Sequence, residues 1–132
     1  TLRGTSFRER FGVQVLAMRR LFLADGKPVA LITSVIRAEG MAEPLPHDAA
    51  EMMPLDFLAR FHTQWPASCT IDFHAARADD GLAHILRTET GSPLLIMCCT
   101  LLSQDAVPVL AQTEIYPGDE GFRMQAELIK YM

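Results

Sequence analysis

The side chains best placed to carry chemistry are Arg20, Ser34, Glu114 and Tyr116. Each lies in a run with strand character, and side chains on a strand alternate between its two faces. Alternation sets Arg20 with Phe22 on one face of the first run. It sets Ala30, Ile32 and Ser34 together on the second, and Leu110, Gln112, Glu114 and Tyr116 together on a later one. If those faces point the same way, they form a concave surface with much apolar lining and few polar groups, the usual make-up of a small-molecule site. Arg20 equally fits a structural salt bridge or a solvent-facing edge position. Tyr116 fits a tyrosine that caps a sheet corner, Ser34 a satisfied strand hydroxyl, and Phe22, Ile32 and Leu110 plain core.

Other chemistries have weaker footing. His47, His62, His74 and His84 never fall at HxH or HxxxH spacing and have no carboxylate cluster beside them, so no metal site is expected. The three cysteines are Cys69, Cys98 and Cys99. The adjacent pair must point to opposite faces of a strand and pairs poorly with itself. The expected role of all three is as small buried hydrophobes in a reducing compartment. No local motif supplies the partner that a nucleophilic cysteine needs. The formal net charge is −4, and the one basic cluster is Arg3, Arg8 and Arg10, so this chain is not expected to bind nucleic acid by itself.

The elements that must position these residues are legible from punctuation and periodicity. The chain has 132 residues, 49% apolar and 21% charged, which suits a single globular domain over 1–132. Its longest apolar run, Leu94–Leu102, is too short for a membrane span, and no secretory leader opens the chain. A soluble cytoplasmic protein is expected, without cofactor. Residues 13–24 and 27–36 read as strands joined by Asp25-Gly26, the strongest short hairpin signal. Residues 38–47 read as loop, with Gly40, Pro44 and Pro46. A helix follows to about Thr63, capped by Asp48 or starting near Met53 because of Pro54. Strands are expected at 68–76, 94–102, 107–116 and 122–129, with a short helix at 79–87 before Gly91-Ser92-Pro93. The order predicts an α+β domain: a mostly antiparallel six-stranded sheet with its helices packed on one face.

Two segments carry a family resemblance. Arg20 to Ala30, RLFLADGKPVA, resembles the hairpin of UTRA domains (UbiC transcription regulator-associated), the effector-binding half of GntR/HutC-type transcriptional regulators. Residues 78–124 resemble that family's C-terminal half: a short helix ending in leucine, Gly-Ser-Pro-Leu-Leu, a strand, Pro-Val, then Tyr-Pro-Gly-Asp and the aromatic Phe122. The resemblance runs from about Val13 onward. It implies a chorismate lyase-like fold, a homodimer, and a small-molecule effector that modulates DNA binding by another domain. That domain is a winged helix-turn-helix, which is not expected within these residues, since Thr1–Gly12 is too short to hold one.

The resemblance also implies site residues. Sugar-phosphate-sensing relatives use two arginines on the first strand; the first falls on Arg20 and the second on Phe22. Their acidic residues on the second and fifth strands fall on Ile32 and Leu110, and their tyrosine is kept as Tyr116. Hydroxyls of a sugar phosphate would lie unpaired against Phe22, Ile32 and Leu110, at about 1–3 kcal/mol each. The expected ligand is therefore a small carboxylate or an aromatic acid, held by Arg20 with Ser34, Glu114 and Tyr116 nearby. The alternative implied by the shared fold is a chorismate lyase-like enzyme acting on an aromatic or enolpyruvyl acid. It would use Arg20 and Glu114, although both sit out of register with the lyase pair, and shared fold does not imply shared chemistry. A pure interaction module is the third possibility.

Overall fold

Asp25 and Gly26 both take positive φ, 52° and 77°, which is what a two-residue hairpin turn demands when its twist must match the flanking strands. In this computed structural model the described residues are 15–37, 58–60, 65–119, 121, 123, 125 and 126. The turn joins β1 (Val15–Ala24) to β2 (Lys27–Arg37). After the helical residues 58–60 come β3 (Ser68–Arg77), α1 (Asp80–Leu86), β4 (Pro93–Leu102) and β5 (Pro108–Pro117). All pairings are antiparallel, and the strand order is β1-β2-β5-β4-β3.

Local chemistry fixes each junction. Asp79 caps α1, its Oδ1 accepting from Leu82 N–H at 2.8 Å, a cap that contributes about 1 kcal/mol. Arg87 ends the helix in the left-handed region, and its Nη1 donates to the Gly26 carbonyl at 2.9 Å. The helix end is thereby tied to the first hairpin. Gly118 N–H donates to the Pro93 carbonyl at 2.8 Å. A Cβ at Gly118 would stand only 2.7 Å from that oxygen, so a side chain there would break the close approach.

Each face of the sheet has its own core. On one, Leu31 and Leu94 pack with Ala78, Ala83 and Leu86 of the α1 region, and Ile115 joins them. On the other, Met18, Ile36 and Leu110 bury Leu58 completely. The expectation that the helices share a face is therefore corrected. Met18, Ile36 and Leu110 form an apolar strip of their own that must be covered, and Leu58 of the helical residues 58–60 covers it.

Of the six strands expected, five lie among the described residues. The sixth, at 122–129, falls for the most part outside them, as do the loop at 38–47 and most of the helix expected to reach Thr63. The outermost strand β3 is exposed at nearly every position, including Ile71 and Phe73 at 48% and 46%. No helix among the described residues is long and apolar enough to cross a membrane.

Candidate functional site

Register decides whether the sequence-predicted residues meet. Arg20 stands opposite Ile32, Ile32 opposite Glu114, Glu114 opposite Met97, and Met97 opposite Phe73. The next row runs Met18, Ser34, Gln112, Cys99, Ile71, and the one beyond it Leu16, Ile36, Leu110, Leu101, Cys69. Phe22 lies opposite Ala30, and Tyr116 opposite Leu95. Paired residues in a sheet point to the same side. Arg20, Phe22, Ile32, Ser34, Leu110, Glu114 and Tyr116 therefore share one face, the one opposite α1.

The polar groups on that face form a connected series. Buried Ser34 Oγ donates to Gln112 Oε1 at 2.8 Å, and Gln112 Nε2 donates to Glu114 Oε2 at 3.0 Å. The Tyr116 hydroxyl donates to the other carboxylate oxygen, Glu114 Oε1. Glu114 thus has both oxygens engaged from within the sheet. Arg20 is half-buried two strands away, its Nη2 3.6 Å from Met18 Sδ. Strands lie about 4.8 Å apart, so Arg20 and Glu114 start roughly 10 Å from each other at the backbone, with Ile32 between them. The face offers a cation on one side, a satisfied carboxylate on the other and apolar surface in between. That arrangement suits binding of an anion with an apolar body.

Among the described residues, the surroundings of Tyr116 and Cys99 shift their titration clearly. Burial, then the hydrogen bond to Glu114 and its negative charge, push the Tyr116 phenol well above the ordinary tyrosine range. Burial pushes the Cys99 thiol up to about 12, helped by the Cys69 thiol and by Glu114.

Several participants were not singled out from sequence. Gln112, the middle of the polar series, was placed on this face but given no role. Met97 and Cys99 from β4, with Ile71 and Phe73 from β3, extend the same surface, and only the pairing of β3 and β4 with β5 brings them there. The expectation that all three cysteines are buried is corrected: Cys69 is exposed and Cys98 and Cys99 are half-buried. Among the described residues β3 is an edge strand, and its side chains and part of β4 are uncovered. Among the described residues no group of three or more His, Cys, Asp or Glu could hold a metal ion.

Two grooves lie elsewhere, beside α1. One is lined by Lys27, Leu86, Arg87 and Asp119, the other by Leu21, His84 and Ile85 among others. Arg87 there is already engaged with the Gly26 carbonyl, and neither groove includes a residue of the polar series. The face that carries Arg20 and Glu114 remains the better candidate, because convergent polar groups on an apolar floor are what fix a ligand's orientation.

The family model of the UTRA domain matches residues 6–120. No curated protein sequence matches the chain. A GntR-family transcriptional regulator from Enterococcus faecalis V583 has a similar structure, with a TM-score of 0.76 at 16% identity, over 96% of this chain and 92% of that one. The C-terminal domain of the histidine utilization repressor from Pseudomonas syringae gives 0.73 at 18% identity, over 96% and 90%. The ligand-binding domain of a regulator assigned to the GntR family from Bordetella bronchiseptica gives 0.74 at 16% identity, over 96% and 85%.

The Tyr116 environment makes a pH prediction. A phenol whose folded pKa is raised contributes stability that is complete below the unfolded value of about 10 and is lost as pH rises toward the folded one. The chain should lose stability above that pH more steeply than a Tyr116→Phe variant, measured by denaturant unfolding at a series of pH values. Ultraviolet titration of the native chain, which has two tyrosines, should show one ionising only at higher pH; equal curves for the two proteins would contradict this.

Proposed function

The chain belongs to the UTRA family, and from that membership we propose that this effector-binding regulatory domain takes a small carboxylate or aromatic acid on the sheet face of Arg20, Phe22, Ile32, Ser34, Leu110, Glu114 and Tyr116. The observation that carries the reading is the shared row of Arg20, Ile32, Glu114 and Met97. The guanidinium would hold the ligand's anionic group. Phe22, Ile32 and Met97 would receive its apolar body, and the Ser34–Gln112–Glu114–Tyr116 series would present polar atoms at its far end. Leu110 packs in the adjoining core and closes the floor on that side.

The same face disfavours a polyol. Its apolar positions offer no partners for a row of hydroxyls, and each hydroxyl left unpaired would cost about 1–3 kcal/mol. The lyase reading also loses ground here. Glu114 would have to exchange proton or charge with a substrate, yet both its oxygens already accept from Gln112 and Tyr116. A regulatory rather than catalytic role agrees with the ligand-binding domain and the histidine utilization repressor to which the chain is similar. On this reading the fold is of the chorismate lyase type, the protein works in the cytoplasm, and the effector acts on DNA through a separate winged helix-turn-helix domain. The signal would be a population shift, which requires the effector to bind one arrangement better than the other.

Such a regulator would act as a homodimer, since two-fold operators match two-fold proteins.

The test of binding is a thermal-shift series with aliphatic acids, aromatic acids and sugar phosphates. At 100 times its dissociation constant a true ligand adds about 2.7 kcal/mol, several degrees for a domain of this size. A carboxylate is expected to stabilise the chain, and Arg20→Ala to weaken it by roughly 10- to 100-fold, the worth of a charged hydrogen-bonded contact. Stabilisation by sugar phosphates alone would overturn the ligand class. For the assembly, light scattering should return twice the 14.7 kDa of one chain; a single-chain mass at every concentration would remove the dimer.

A further inference from the structure

Cys69 and Cys99 lie on neighbouring strands with their Sγ atoms 3.2 Å apart. Cys69 stands opposite Leu101 and Cys99 opposite Ile71, so the two are diagonal neighbours on the same face of the β3–β4 pair. Both are free thiols. We propose that they form a redox-active dithiol at the edge of the effector face, a modification site that a hydroperoxide or a low-molecular-weight disulfide closes into an intramolecular disulfide.

Three features support closure. A disulfide bond is about 2.05 Å long, so the sulfurs need to approach by roughly 1.2 Å. β3 can supply that movement, because it is the outer strand of the described sheet and is exposed at nearly every position. Finally, the exposed Cys69 can meet an oxidant from solvent, while half-buried Cys99 waits behind it. Cys98 is excluded: it is paired with Asp72 and points to the opposite face.

The steps divide naturally between the two thiols. The Cys69 thiolate attacks the terminal oxygen of the hydroperoxide; the O–O bond breaks, and the leaving alkoxide takes a proton to become an alcohol. Cys69 is then a sulfenic acid. Cys99 sulfur attacks that sulfur, the S–O bond breaks, and the hydroxide leaves as water with the Cys99 proton. Two thiols and one hydroperoxide thus give one disulfide, one alcohol and one water, with two electrons passing to the peroxide. With a low-molecular-weight disulfide, Cys69 thiolate displaces one thiol and Cys99 displaces the other. Burial keeps the Cys99 thiol protonated at neutral pH, so it is not the thiol that meets the oxidant first.

Closure would also be felt at the effector face. Cys99 lies directly opposite Gln112, the middle of the polar series. The thiol chemistry itself does not depend on which ligand that face takes, so the two proposals can fail separately.

The full chain would be treated with hydrogen peroxide, and separately with glutathione disulfide, then denatured and its thiols counted. The three thiols present before treatment should fall to one, the intact mass should drop by two hydrogens, and a nonreducing gel should show a single chain. The closed form should melt several degrees higher, because the crosslink restricts the unfolded chain. Cys98→Ser should close as fully as the parent. Cys69→Ser, a substitution at an exposed position, should retain both remaining thiols. Three thiols persisting under excess oxidant would overturn the proposal. So would closure that survives Cys69→Ser, or crosslinking only between chains.

Discussion

The β1–β2 hairpin meets the remainder of the sheet along one seam, where β2 lies against β5 from Leu31↔Ile115 to Ile36↔Leu110. Side chains alternate with a period of two, so slipping this seam by one residue would turn every one of them to the wrong face. Several constraints hold it. Ile36 and Leu110 belong to the core on the Leu58 side, while Leu31 and Ile115 pack toward α1. Between them, buried Ser34 bonds across the seam to Gln112. A one-residue slip would bury those polar groups without partners and expose both apolar sets. The same register brings Arg20 and Glu114 onto one surface, although Arg20 is on the outer strand of one hairpin and Glu114 belongs to the other.

Glu114 shows how that surface is organised. A carboxylate in an apolar setting is costly unless hydrogen bonds satisfy it. Gln112 and Tyr116 do so from the same strand, at positions two residues either side. The result is a carboxylate held in place and largely spent on its neighbours. A carboxylate engaged in this way by its own strand is poorly placed for proton transfer.

Much of this was legible in the residues. Asp25-Gly26 announced the first hairpin because few residue pairs tolerate two positive φ values. Alternation in 20–22, 30–34 and 110–116 set these residues on common faces, and register aligned the three strands so that the faces coincide. What alternation could not give was cover. The pattern of Cys69, Ile71 and Phe73 against Thr70, Asp72 and His74 reads as one buried and one exposed face, but both are exposed, β3 being an edge strand among the described residues. Nor could spacing reveal the Cys69–Cys99 contact, since a diagonal pair thirty positions apart depends on which strands become neighbours. The division of helical cover between the two faces was hidden for the same reason: Leu58 could have packed on either side.

The central claim is that the effector lies on the face of Arg20 and Glu114, opposite α1. Methyl-resolved nuclear magnetic resonance tests it directly, because methyl groups of opposite faces alternate along the same strands. During titration with the acid that stabilises the chain most, the methyls of Ile32 and Met97 should shift together, while those of Leu31, Leu86 and Ile115 stay in place. Shifts confined to Leu31, Leu86 and Ile115 would put the ligand beside α1 and contradict the account.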